Sequence, residues 1–388
     1  PPGDVKMFKH SSIAILAAVL IAACNPAEAP KPAAPAAPVV TASAIWPRQL
    51  KQFEEDYFRF NPSLAAVQGR HEFDGKLPDW SKEGLQKQAD WLSTARAQTL
   101  AVKDAELTAA QRFEKQYLLS RIDNELFWLT EAQFPFRNPA YYMGTLDPSV
   151  YIARPYAPPE VRIQAFTHYL KAIPAAAAQI RANLPSPMPK TYVDYGMKGF
   201  AGYASFYRGD ALKAFAAVSD LALQAALKAA SEPAAVAMQN LADWLKSEQA
   251  KATNDGYALG PDKFTHMLSQ TERVSTPLAE LEAIGKADLE RNLTALKDAC
   301  AQYLPKGSIE ACIAKMGKDK PQGGPVEGAR AQLAELRQFL VDQKLVTIPG
   351  TELALVDQAP PYNAQNFAYI DIAGPYDKGM PSTYYIAP

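Results

Sequence analysis

Only four histidines and three cysteines occur in 388 residues, so metal and thiol chemistry have few residues to work with. An excess of charge of one sign is lacking as well: 40 Lys and Arg face 41 Asp and Glu, a formal net charge of −1. Without a basic surplus to neutralise phosphates, the composition argues against nucleic acid as a partner. No apolar run approaches the roughly 20 residues that a membrane-spanning helix needs. There is no P-loop, no G-x-G-x-x-G after a strand and no G-x-S-x-G. What is present is a core-forming composition, 48% hydrophobic and 21% charged, which excludes a disordered chain.

Proline is abundant, with 32 residues, and several fall in one tract near the N-terminus. Residues 1–6 read as an upstream remnant ahead of Met7. Lys9 and the apolar run from Ile13 to Ala23 form a signal-peptide core too short to cross a bilayer as a stable helix. Residues 7–23 are therefore expected to be a lipoprotein signal peptide. The run closes on Ile21-Ala22-Ala23-Cys24, which resembles the bacterial lipobox, so Cys24 is expected to carry the lipid. The alternative is an ordinary secretory signal with a chance cysteine. Residues 24–41 then form a Pro/Ala-rich linker, in which NPAEAPKPAAPAAP favours an extended spacer. The expected location is the bacterial cell envelope, facing the periplasm, with the lipid as the only membrane contact. Asn25, in place of the Asp that retains lipoproteins in the inner membrane, points to the outer membrane.

The rest of the chain reads as helices. Trp46, Leu50, Phe53, Tyr57 and Phe60 fall on one helical face, which Asn61-Pro62 ends. Ser81 is a suitable N-cap for a helix carrying Leu85, Ala89, Leu92 and Leu100. Thr108 to Thr130 predicts one long helix with Phe113, Tyr117, Ile122, Leu126 and Leu129 inward. Another begins near Pro158-Pro159 and is expected to be interrupted at Pro174. The Ala/Leu-rich stretch from Asp210 to Glu248 predicts a hairpin broken at Pro233. Thr276-Pro277 opens what should be the longest helix, with Leu281, Gly285, Leu289, Leu293, Leu296 and Cys300 on one face. A last helix is expected from about Val326 to Lys344.

After Ile348 the grammar changes: Glu352–Val356, Phe367–Ile372 and Thr383–Ile386 are short β-branched or aromatic runs. The fold class is thus mainly α, with residues 42–388 forming one large multi-helix domain that ends in two or three short β-strands. Cys300 and Cys312 flank the turn at Pro305 and Gly307. In an oxidising compartment they can form a disulfide worth about 3 kcal/mol, the alternative being two buried free thiols.

No complete catalytic or metal site is visible. His71-Glu72 is followed by Asp74-Gly75, which is turn chemistry, and the second histidine of H-E-x-x-H is absent. His168 and His266 read as packing or surface residues. Gly196, Gly199 and Gly202 suit a helix packed closely on a neighbour. The 18 tyrosines, among them Tyr141-Tyr142, Tyr362, Tyr369, Tyr376 and Tyr384-Tyr385, can line a peptide-binding cleft or simply fill the core.

Four stretches, FRFNPSLAAVQGRHEFDGKLPDWS (58–81), YLKAIPAAAAQIRANL (169–184), LGPDKFTHML (259–268) and IAGPYDKGMPSTYYIAP (372–388), resemble in order and spacing the bacterial domain-of-unknown-function 885 family. Many members of that family are secreted lipoproteins. The resemblance implies a mostly helical, gluzincin-like zinc-metallopeptidase fold, of which this chain would be the N-terminal portion. It also implies that the H-E-x-x-H helix and the glutamate ligand follow the stretch matching Thr383–Pro388. No catalytic or metal residue is therefore assigned here, no cofactor is expected in this chain, and as given it should be inactive and cut short. For the longer protein the resemblance implies zinc, a peptide substrate and peptide-bond hydrolysis. Gluzincins pair substrate with a strand before the zinc helix, and by analogy Thr383, Tyr384, Tyr385 and Ile386 would be that strand. The alternative is a non-catalytic helical lipoprotein that binds peptides or cell-envelope components.

Overall fold

A computed structural model describes residues 41–359 and 367–387. Residues 42–388 form one unit. The signal peptide, Cys24, the linker up to residue 40 and Tyr362 lie outside the described residues. In chain order the α-helices are α1 (Ala42–Phe60), α2 (Pro62–Val67), α3 (Lys82–Ala101), α4 (Ala109–Leu126), α5 (Ala140–Met143), α6 (Ser149–Ala153) and α7 (Pro159–Asn183). They continue with α8 (Lys190–Arg208), α9 (Asp210–Lys213), α10 (Leu221–Glu248), α11 (Pro261–Met267), α12 (Leu278–Tyr303), α13 (Ile309–Met316) and α14 (Gly324–Asp342). Three strands close the chain: β1 (Leu355–Gln358), β2 (Ala368–Asp371) and β3 (Thr383–Ile386). The fold is mainly α with one small sheet. Among the described residues no helix is long and apolar enough to cross a membrane.

Local chemistry sets several boundaries. The Ser81 side chain accepts from the Gly84 N–H at 3.0 Å and starts α3. Thr108 and Gln111 form a reciprocal capping box at the start of α4. The α1 stripe packs as its spacing predicts: Trp46 is buried, and Phe53 and Phe60 stack on Trp91 with ring centroids 5.0 and 4.9 Å apart.

Three expectations are corrected. Neither Pro174 nor Pro233 breaks its helix: α7 and α10 run straight through them. An interior proline costs about 3 kcal/mol, yet the two helices bury Leu170, Ile173, Ile180, Leu227, Met238 and Leu245 completely. That burial outweighs the lost hydrogen bond, since each such side chain contributes about 1.5–3 kcal/mol. The helix from Thr108 spans its expected length, changing from α to π winding at Phe127–Glu131. Phe113 and Tyr117 on it point outward, whereas Ile122 and Leu129 point inward. The longest helix is α10 at 28 residues, ahead of α12 at 26.

The core centres on α7, α8 and α10 with the aromatic residues of α3 to α6. The Tyr169 hydroxyl, fully buried, meets the Tyr207 hydroxyl at 2.7 Å and the Leu146 carbonyl at 2.7 Å, so neither phenol is left unsatisfied. On α8, Gly196 lies against Pro139 and Leu245, and Gly199 against Met143, while Gly202 has open space. The close-packing role therefore belongs to the first two. In the α12–α13 turn the structure joins Cys300 to Cys312, with Cα atoms 5.7 Å apart.

Candidate functional site

The three strands pair in the order β1–β3–β2, with β1 parallel and β2 antiparallel to β3. This corrects the assignment of Thr383–Ile386 as the strand open to substrate. β3 is central, and its backbone groups are committed on both sides, so no further strand can add to it. Only β1 and β2 are edges, and they differ. The outward carbonyl of Val356 on β1 accepts from Arg330 Nε at 3.1 Å and Nη2 at 2.8 Å, with α14 supplying the arginine. β2 has no such cover among the described residues.

Its register leaves the N–H and C=O groups of Ala368 and Ile370 pointing away from β3. This follows because Ala387 donates to Phe367 at 2.9 Å and antiparallel bonding alternates along the strand. Ile370 is 49% exposed. Tyr369, one position along, stacks on its cross-strand partner Tyr385 at 5.2 Å between ring centroids, which fixes the register. An unpaired, exposed strand edge is a template for an extended peptide.

A polar clamp holds this edge on the helical body. Arg154, just after α6, is buried and donates through Nε to both carboxylate oxygens of Asp371 at 3.0 Å, the last residue of β2. Nη2 also donates to Asp371 Oδ1 at 2.5 Å and to the Ile372 carbonyl at 3.0 Å, and Nη1 to the Val67 carbonyl. A planar guanidinium fork suits this bidentate arrangement. Asp377, nearly fully buried, lies 3.7 Å from Arg154 and 2.9 Å from His71 Nε2. Among the described residues its Oδ2 has no hydrogen-bond partner, and the nearby Arg154 guanidinium balances its charge.

His71 completes the clamp. Its Nδ1 faces Asp74 at 3.1 Å, and its ring stacks on Tyr156 at 3.7 Å and 6°. The Tyr156 hydroxyl donates to Asp74 at 2.8 Å. Partial burial disfavours the imidazolium, but hydrogen bonds and charge from Asp74 and Asp377 outweigh it, and the His71 pKa is raised above its ordinary value. Burial, then the Asp74 charge, pushes the Tyr156 phenol far up, so it stays a neutral donor. Alongside, Arg70 holds Glu55 through two bonds of 2.9 Å and lies over the rings of Phe58 and Tyr376.

Glycines permit the close approach. A Cβ on Gly374 would come within 2.2 Å of the Gln68 backbone. Gly69, at φ +92°, would place one 2.6 Å from the Asp377 nitrogen. The Tyr376 N–H donates to the Gln68 carbonyl at 3.0 Å across the same seam.

His71, expected in a loop, instead opens a short 3-10 turn over His71–Phe73, and His168 is exposed on α7. His266 on α11 bonds Glu131, with its nearer oxygen at 2.6 Å. Among the described residues no group of three or more His, Cys, Asp or Glu side chains could hold a metal ion. The two nitrogens of His71 face carboxylates on opposite sides of the ring, so they share no coordination point. The described residues around His71 do not fit zinc. Sequence reasoning missed Arg154, Asp371, Asp377, Asp74 and Tyr156. The available signal was the pair of glycine-flanked acidic turns, GRHEFDG and GPYDKG, which meet in space.

The family model described as "Bacterial protein of unknown function (DUF885)" matches residues 62–388. A solved structure, "a putative lipoprotein of unknown function from Shewanella oneidensis", matches with a TM-score of 0.68 at 19% identity. The match covers 88% of this chain and 64% of that one, a likeness of fold. No curated protein matches the chain.

Proposed function

The chain belongs to the bacterial DUF885 family, and from that premise we propose that it forms the helical body and peptide-binding edge of a lipid-anchored peptidase of the cell envelope. The observation that carries this is the edge of β2, left open among the described residues and clamped in place by Arg154 and His71 beside a sheet rich in tyrosine. An extended substrate would add to it through the backbone groups of Ala368 and Ile370, which give affinity without sequence preference. The anchor would be the lipid on Cys24. Zinc belongs to the proposal for a longer form of the protein, with ligands other than the described residues.

The test uses the natural gene product, read past the codon for Pro388 and purified without chelator. Stoichiometric zinc and chelator-sensitive cleavage of a peptide library are expected, with membrane fractionation lost in Cys24→Ala. A zinc-free product that cleaves nothing overturns the peptidase reading.

One observation favours a second reading, a non-catalytic binder. An open groove of about 600 Å3 lies between α1 and α4, lined by Phe53, Tyr57, Phe113 and Tyr117 with Tyr376 at its end. Peptide binding there without hydrolysis would give that reading the lead.

A further inference from the structure

A cavity of about 350 Å3 meets the β2 edge at its last residue, Asp371. Arg154 and Asp371, two members of the clamp, share its lining with residues of α2 and of the segment 144–150. That volume is at the small end of ligand pockets, so it suits the end of a chain rather than its middle. The edge itself stops here. Its outward backbone groups alternate through Ala368 and Ile370, and the next outward carbonyl, that of Ile372, is already taken by Arg154 Nη2 at 3.0 Å. An extended peptide laid along β2 therefore loses its backbone partners at Ile372, beside the cavity. Laid antiparallel, it brings its N-terminus to this point; laid parallel, its C-terminus.

Charge decides between the two. Each nitrogen of Arg154 already donates within the clamp, so the guanidinium is not free to receive a terminal carboxylate. Arg154 and Asp371 also balance each other. Asp147, in the same lining, has no such partner. It accepts from the Ser149 N–H at 2.9 Å and from the Ser149 hydroxyl, and among the described residues no cation pairs with it. The hydroxyls of the lining are committed in a consistent way. Ser149 donates to Asp147, and Ser63 donates to the Lys76 carbonyl at 3.3 Å, which leaves both oxygens as acceptors. An ammonium group, with a positive charge and three donors, matches one unbalanced carboxylate and acceptor oxygens. Leu64, Val67 and Val150 leave apolar wall for a small first side chain.

We propose that this cavity receives the free α-amine of a peptide bound antiparallel to β2, with Asp147 as its counter-charge. The proposal deepens the peptide-edge reading above and rests on it, but on neither zinc nor hydrolysis. The ligand class is then peptides with an unblocked N-terminus, held by the backbone of Ala368 and Ile370 along the chain and by Asp147 at its end.

The test is calorimetric titration of the natural gene product, with chelator present so that nothing is cleaved. The probes are short peptides of Ala, Ser and Val with either a free or an acetylated N-terminus. The free amine is expected to bind at least about fivefold more tightly. Asp147→Asn should remove that advantage and leave the affinity of the acetylated peptide as it was, which also shows that the variant is folded. Equal affinity of the two peptides, both weakened by Ile370→Pro, overturns this proposal and leaves the edge reading standing. A larger loss on amidating the C-terminus than on acetylating the N-terminus overturns it too, since the peptide then lies parallel. So does an acetylated peptide with lysine first that binds as the free amine does, because the cavity would then read a side chain. If no peptide binds at all, the edge reading falls and this proposal falls with it.

Discussion

The helices α7 and α12 differ by one residue in length, 25 against 26, yet they behave as opposites. On α7, Ile163, Phe166, Leu170, Ile173 and Ile180 are fully buried, and the helix holds together through an interior proline. On α12 a stripe of comparable quality buries one cysteine. The difference lies in what stands opposite. Pattern decides that a helix has an apolar face; only tertiary neighbours decide whether that face gains stability from it.

The largest effect should come at the clamp. Replacing Arg154 with Met leaves Asp371 and Asp377 without their buried cation, and losing one partner of such a group costs about 3–5 kcal/mol. Chemical denaturation should show that loss, with exchange protection of β2 and β3 falling first. Next comes a paired test of the two helices in the 388-residue chain. Leu170→Ala should cost about 2–5 kcal/mol, as complete burial implies, whereas Leu289→Ala should stay within about 0.5 kcal/mol. Equal costs for the two would break the comparison.

A smaller effect is expected with pH. The raised pKa of His71 means that its contribution is fully present below the unfolded value of about 6.5 and is lost as pH rises through the folded value. Protection of the sheet should therefore weaken toward alkaline pH, and His71→Gln should flatten that dependence. A wild-type profile already flat across neutral pH would contradict the role assigned to His71.

Much of the fold was legible because helical stripes are local. Trp46 to Phe60 packed as its spacing said, and the Ser81 and Thr108 caps formed. Failures came where burial overruled local preference, at Pro174 and Pro233, and where an aromatic pattern continued onto solvent, at Phe113 and Tyr117. The site was illegible for a different reason. Arg154 and Asp371 are 217 positions apart, and His71 and Asp377 are 306 apart, distances over which no spacing argument operates. The strand nominated for substrate was central because sheet order is set by pairing, which the chain order of three short runs does not reveal.

The most direct measurement of the central claim, that β2 is the peptide-binding edge, is substitution of Ile370 by proline in the natural gene product. Its N–H points away from β3, so proline removes a donor for peptide while leaving the β2–β3 ladder intact, as edge strands tolerate. The account predicts a folded protein with unchanged melting and peptide affinity or KM weakened at least about fivefold, the equivalent of one hydrogen bond of about 1 kcal/mol. Unchanged peptide affinity and KM in a folded Ile370→Pro protein would contradict it.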